Sequence, residues 1–65
     1  RKENDLASLL NGSKSAGLTL PEAAKLLDDN VTRAQFLLRE LTVVGKMEKL
    51  GRGVMAVWYN REKAA

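Results

Sequence analysis

Thr32, Arg33, Gln35, Phe36 and Arg39 lie close together in the chain, and helical spacing puts them on a shared side of one helix. Their chemistry is hydrogen bonding to flat bases and to phosphates. An Arg guanidinium bonds guanine O6 and N7 in a bidentate fork, and a Gln amide does the same to adenine N6 and N7. Thr32 offers a hydroxyl to a phosphate or a methyl to a thymine. Arg33 falls in the first turn, the part of such a helix that enters a major groove most deeply, so it is expected to read a base edge. Arg39, about two turns further along, is expected to hold a phosphate. Phe36 has two readings. It stands exposed against a thymine methyl or a sugar, or it packs down against a preceding helix.

A second basic group follows in Lys49 and Arg52. Arg52 sits in Gly51-Arg52-Gly53 between two strand-like runs, which predicts a hairpin tip with a cation at its apex. Such a cation lies along a phosphate backbone or dips into a minor groove. It also blunts the hairpin edge and keeps it in water, which needs no ligand at all.

Other chemistries find little support. The chain has no Cys and no His, which removes disulfides, the usual zinc sites and most nucleophile–base pairs. Glu22, Asp28 and Asp29 are carboxylates at expected helix ends, with no metal-ligand spacing or glycine-rich phosphate loop beside them. The expectation is therefore no enzyme, no metal, no cofactor and no small-molecule substrate.

The helix that must position the first group is the run 30–44, NVTRAQFLLRELTVV. Ala34, Leu37, Leu38, Leu41 and Val44 recur at steps of three and four, the stripe of an amphipathic helix. Asn30 is a good N-cap, and Gly45 suits the left-handed residue that ends a helix. This predicts a helix over about 31–44.

Upstream, Leu6, Leu9 and Leu10 predict a first helix over about 4–11, stopped by Asn11-Gly12 and packed across the back of the 31–44 helix. Residues 13–17 are a small-residue loop, and 18–20 are either a stub of strand or the lead-in to the next helix. Thr19 and Glu22 have capping-box spacing, with Pro21 in the first turn, so a second helix is expected over about 20–28. Leu20, Ala24 and Leu27 share one of its faces. Asp28-Asp29-Asn30 is then the turn. The middle of such a turn commonly holds an apolar plug, and here Asp29 stands there, so Val31 is expected to plug the core instead.

After Gly45 the period changes to two, and 46–60 reads as a hairpin with strand-like runs at 46–50 and 54–60. Val54, Ala56 and Trp58 share one face of the second run; Met55, Val57 and Tyr59 share the other. Trp58, Met47 and Leu50 are expected in the core, and residues 61–65 are expected to fray.

These elements specify an α+β fold within one domain, 1–65: a three-helix winged helix-turn-helix with a C-terminal two-stranded β-hairpin wing. Sixty-five residues allow a single small core, burying about 60% of the unfolded surface. No run approaches the ~20 apolar residues of a membrane span, and no signal-peptide pattern opens the chain. A cytoplasmic, nucleoid-associated location is expected. The missing initiator Met leaves room for a trimmed protein or a domain cut from a longer one. Charge is uneven along the chain: residues 1–30 carry a net −1 and residues 31–65 a net +4. A basic half on so small a domain attracts polyanions, nucleic acid first.

Residues 27–45, together with Gly51-Arg52-Gly53-Val54-Met55-Ala56-Val57-Trp58-Tyr59, resemble the small FaeA-like regulators of bacterial fimbrial (pilus) operons. That family is a single winged helix whose wing ends in an Arg-Gly step and whose last strand carries Trp. Ala34, Leu38, Leu41, Gly45, Gly53, Met55 and Trp58 fit its pattern over residues 19–60. The chain departs from it at Asp28-Asp29-Asn30, where apolar residues and a Ser or Thr cap are usual, and in the order of Arg33 and Gln35. The resemblance implies a transcription regulator of duplex DNA, acting alone or beside a larger regulator, with no base preference carried over. Winged helices that bind Z-form nucleic acid share the architecture, but Gln35 and Arg39 stand where their signature Asn and Tyr would fall.

The expectation is sequence-specific binding of double-stranded DNA through Thr32, Arg33, Gln35, Phe36, Arg39, Lys49 and Arg52. The rivals are a protein–protein interaction winged helix and a DNA-anchoring domain of a longer replication, partition or recombination protein.

Overall fold

The longest helix, α3 (Val31–Val43), lies at the centre of the structure because four residues of its apolar stripe are buried. Ala34, Leu37, Leu38 and Leu41 are all inside, spaced as a helix facing a core requires. Both ends are set by local chemistry. The Asn30 side chain accepts from the Arg33 N–H at 2.9 Å. At the other end Gly45, at φ +83°, turns the chain left-handed. The Gly45 N–H then donates to the Thr42 carbonyl and the Lys46 N–H to that of Leu41, closing a Schellman motif.

A computed structural model describes residues 1–13 and 16–61 of the chain. The element order is α1 (Lys2–Gly12), β1 (Leu18–Thr19), α2 (Leu20–Leu27), α3, β2 (Met47–Leu50) and β3 (Val57–Asn60), with a single 3₁₀ turn at Gly53–Met55. The strands form one antiparallel sheet in the order β1-β3-β2. The molecule is α+β, three helices with a three-stranded antiparallel sheet. The fraying expected of 61–65 lies outside the described residues except at Arg61, whose N–H donates to the Lys46 carbonyl at 3.1 Å.

The expected helices are present, with α1 starting two residues before the predicted position. Thr19 and Glu22 make the reciprocal capping box, and Pro21 sits in the first turn of α2. Residues 18–19 resolve to strand: β1 pairs Leu18 with Trp58 and Thr19 with Val57. The hairpin is therefore part of a three-stranded sheet, not a two-stranded one.

Three expected core positions and one expected strand position are corrected. Leu50 is half exposed because Met47 faces inward, and strand alternation then sends Leu50 to the opposite face. Val31 is also exposed and plugs nothing, and Val44, the last residue of the predicted stripe, caps α3 in an exposed position. Val54 leaves the strand altogether: the 3₁₀ turn at Gly53–Met55 begins before β3 and puts both Val54 and Met55 in water. Trp58 and Met47 are buried as expected, and Asn60 joins Trp58 on the inner face. The Asn60 side chain ties the sheet to α1, its Nδ2 donating to the Leu10 carbonyl at 2.8 Å.

The α2–α3 turn is held by charge where an apolar plug was expected. Asp28 is left-handed at φ +55°, and the Asp29 N–H returns to the Ala24 carbonyl at 3.1 Å. The Asp29 carboxylate accepts from the Asn30 N–H at 2.7 Å and from Arg1 Nη2 at 3.0 Å. These bonds favour the ionised form, so its pKa falls below the ordinary 3.8, first through the Asn30 N–H and then through Arg1 and Arg33.

Candidate nucleic-acid interface

The outer surface of α3 has two flanks, set by the 100° step between successive residues. Arg33 and Glu40 turn toward α1; Gln35 and Thr42 turn toward the sheet. Thr32, Phe36, Arg39 and Val43 lie between them and are exposed, Thr42 being half-buried.

On the α1 flank Arg33 and Glu40 are both paired. Arg33 Nη1 donates to Asp5 Oδ2 and lies 3.8 Å from Asp29 Oδ2. Arg1 bridges the same two carboxylates, Nε at 3.6 Å from Asp5 and Nη2 at 3.0 Å from Asp29. Lys2 Nζ pairs with Glu40 at 2.8 Å and also stands 5.7 Å from the centre of the Phe36 ring. The Arg33 side chain is only 27% exposed. The Arg33 side chain is thus turned toward α1, where an outward projection was expected. Two carboxylates within reach on a partly desolvated surface outcompete water for a guanidinium, and they hold it sideways against α1. Phe36 takes the exposed one of its two readings, at 59% exposure.

On the other flank the charges are unmatched. Gln35, Arg39 and Thr42 of α3, with Lys49 and Trp58 of the sheet, line a groove of about 280 Å³. Lys49 reaches it because β2 places Lys49 on the same face as Met47 and opposite Trp58. Its ammonium lies 5.5 Å from the centre of the Trp58 ring, a cation–π contact that holds the charge at the groove. Thr42 Oγ1 donates to the Leu38 carbonyl at 2.8 Å, so the hydroxyl proton is already committed to the helix backbone. Among the described residues every ion pair uses Arg1, Lys2 or Arg33; Arg39, Lys46, Lys49 and Arg52 enter none.

Of the seven expected site residues, the groove gathers Gln35, Arg39 and Lys49. Thr32 and Phe36 stand exposed on the same face of α3, outside the groove. Arg52 is exposed at the hairpin tip, three residues beyond Lys49. Thr42 and the edge of Trp58 are additions. Thr42 was legible as the residue one helical repeat after Gln35; Trp58 was read only as core, yet it serves both surfaces. Lys46, exposed as well, lines the groove between α1 and the end of α3 instead. No protein-family model, curated protein or solved structure matches this chain.

Proposed function

We propose that the chain is a winged helix-turn-helix module that binds double-stranded DNA and acts as a transcription regulator. In this reading α3 lies in the major groove and the β2–β3 hairpin is the wing on the adjacent backbone. The observation that carries it is the groove between α3 and the sheet. There an adenine-reading amide, Gln35, stands beside two cations, Arg39 and Lys49, that no described carboxylate neutralises. On the opposite flank the carboxylates of Asp5, Asp29 and Glu40 pair with Arg1, Lys2 and Arg33. The lack of a described carboxylate here leaves a surface complementary to a polyanion. The order of elements supports the architecture: a short turn joins α2 to α3, and a hairpin follows α3 directly.

Base reading then falls to Gln35 and Thr32, with phosphate contacts from Arg39, Lys49 and Arg52. The resemblance to FaeA-like regulators points the same way. The module acts by occupying or recruiting at a promoter, without bond chemistry.

Fluorescence anisotropy with a random-sequence 20-bp duplex tests this. At 50 mM salt the protein is expected to bind; with three phosphates neutralised, raising salt fourfold weakens binding by on the order of 40-fold. No binding at 50 mM salt overturns the proposal and favours the protein–protein reading.

A further inference from the structure

The hairpin tip exposes two adjacent large apolar side chains, Val54 at 97% and Met55 at 76%. Leu50, at the base of the tip, is half exposed as well. Folding gains almost nothing from hydrophobic groups placed so, while water is ordered around them. The tip is nevertheless a built object. The Met55 N–H donates to the Arg52 carbonyl at 3.0 Å and the Ala56 N–H to that of Gly53 at 3.2 Å. Gly51, at φ +86°, lets the chain double back so closely that a Cβ there would lie 2.8 Å from the Met55 carbonyl oxygen. These bonds fix the backbone that carries Val54 and Met55 at the hairpin tip, which also carries the exposed Arg52.

We infer that this tip is an apolar wedge for the minor groove, in which Val54 and Met55 part a base step and kink the duplex while Arg52 holds the groove wall. The inference rests on the proposed DNA reading and extends it to a deformation of the DNA. Position supports it. Gln35 and Arg39 of α3 meet the sheet at Lys49, and at ~3.3 Å per residue the tip stands roughly 10 Å beyond Lys49. With α3 in a major groove, Lys49 lies over the flanking phosphate strand and the tip over the next, minor groove, about 6 Å wide. Apolar side chains beside a cation are what proteins insert between base steps there. A convex tip offers little area to a flat protein surface, and its cation suits the negative potential of the minor groove.

Ligase-mediated circularisation of 100-bp random duplexes tests the inference, since fragments shorter than the ~150-bp persistence length close poorly unless kinked. Wild type is expected to raise the yield of circles on the order of tenfold. The Val54→Ser/Met55→Ser double variant, altered only at exposed positions, should bind the same DNA with an unchanged salt slope and lose that increase. Met55→Leu should keep it. If wild type binds without promoting closure, or the double variant promotes it equally, the wedge is wrong and the DNA reading stands. If wild type fails to bind duplex at low salt, both fall. Loss of self-association by the double variant in sedimentation, with closure unchanged, would assign the tip to a second copy of the chain and overturn the wedge.

Discussion

The two flanks of α3 carry the same kinds of side chain and put them to opposite uses. On the α1 flank Arg33 is held by Asp5 and Asp29, and Glu40 by Lys2, so the charges fasten one helix to another. On the sheet flank Arg39 and Lys49 stand beside Gln35 with no described carboxylate in reach. Arg33 and Arg39 are six residues apart on one helix, yet one is a strut and the other a free charge. What separates them is the neighbour: α1 opens with Glu3 and Asp5, whereas β2 brings Lys49. A residue type on a helix face does not define a contact residue. The facing element does.

The comparison breaks most completely if the sheet flank is removed from the core. Trp58 is buried beneath Lys49, so Trp58→Ala should cost about 3–5 kcal/mol, a large share of what so small a domain has. Urea melts check this. An unchanged midpoint would mean that the sheet does not depend on Trp58.

Removing the strut has a smaller effect of a different kind. Arg33→Ala leaves Asp5 and Asp29 with only the more exposed Arg1 between them, and should lower stability by about 1–2 kcal/mol, between an exposed pair and a buried one. The same urea melts apply. Arg39→Ala, on an exposed position outside any ion pair, should stay within about 0.5 kcal/mol of wild type. Equal losses for the two variants would erase the distinction between the flanks.

Acid probes the α1 flank alone. The folded-state pKa of Asp29 lies below the ordinary 3.8, so its carboxylate binds fewer protons folded than unfolded. Its contribution is fully present above that value and is lost as pH falls through and below it. Asp29→Asn should therefore shift the acid-unfolding midpoint upward slightly, read by circular dichroism between pH 2 and 5. A midpoint that moves down would contradict the pairing.

Much of the fold was legible because local signals agreed with one another. The Asn30 cap, the Thr19–Glu22 box, Gly45 and the period of three and four each act within a few residues, and each is present. Signals that depend on distant partners were not. Leu18 and Thr19 become strand only because β3, nearly forty residues later, comes to lie beside them. Leu50 was misjudged by hydrophobicity, although alternation from a buried Met47 sends it outward. Val54 and Met55 looked like strand because they continue the period of two that runs on to Asn60, but Gly51 and Gly53 widen the turn past them. Within the site, Gln35, Arg39 and Lys49 came together because helix angle and strand parity are regular. Arg33 did not, since Asp5 lies 28 residues away and nothing near Arg33 announces it.

The measurement that tests the account most directly is the salt dependence of duplex binding by wild type, Arg39→Ala and Arg33→Ala side by side. Each neutralised phosphate contributes about −0.9 to the slope of log K against log salt. With Arg39, Lys49 and Arg52 on phosphates, wild type should show a slope near −3, Arg39→Ala should lose about one unit, and Arg33→Ala should keep the wild-type slope. A wild-type slope near zero, or a unit lost with Arg33 and none with Arg39, would contradict the assignment of DNA to the sheet flank.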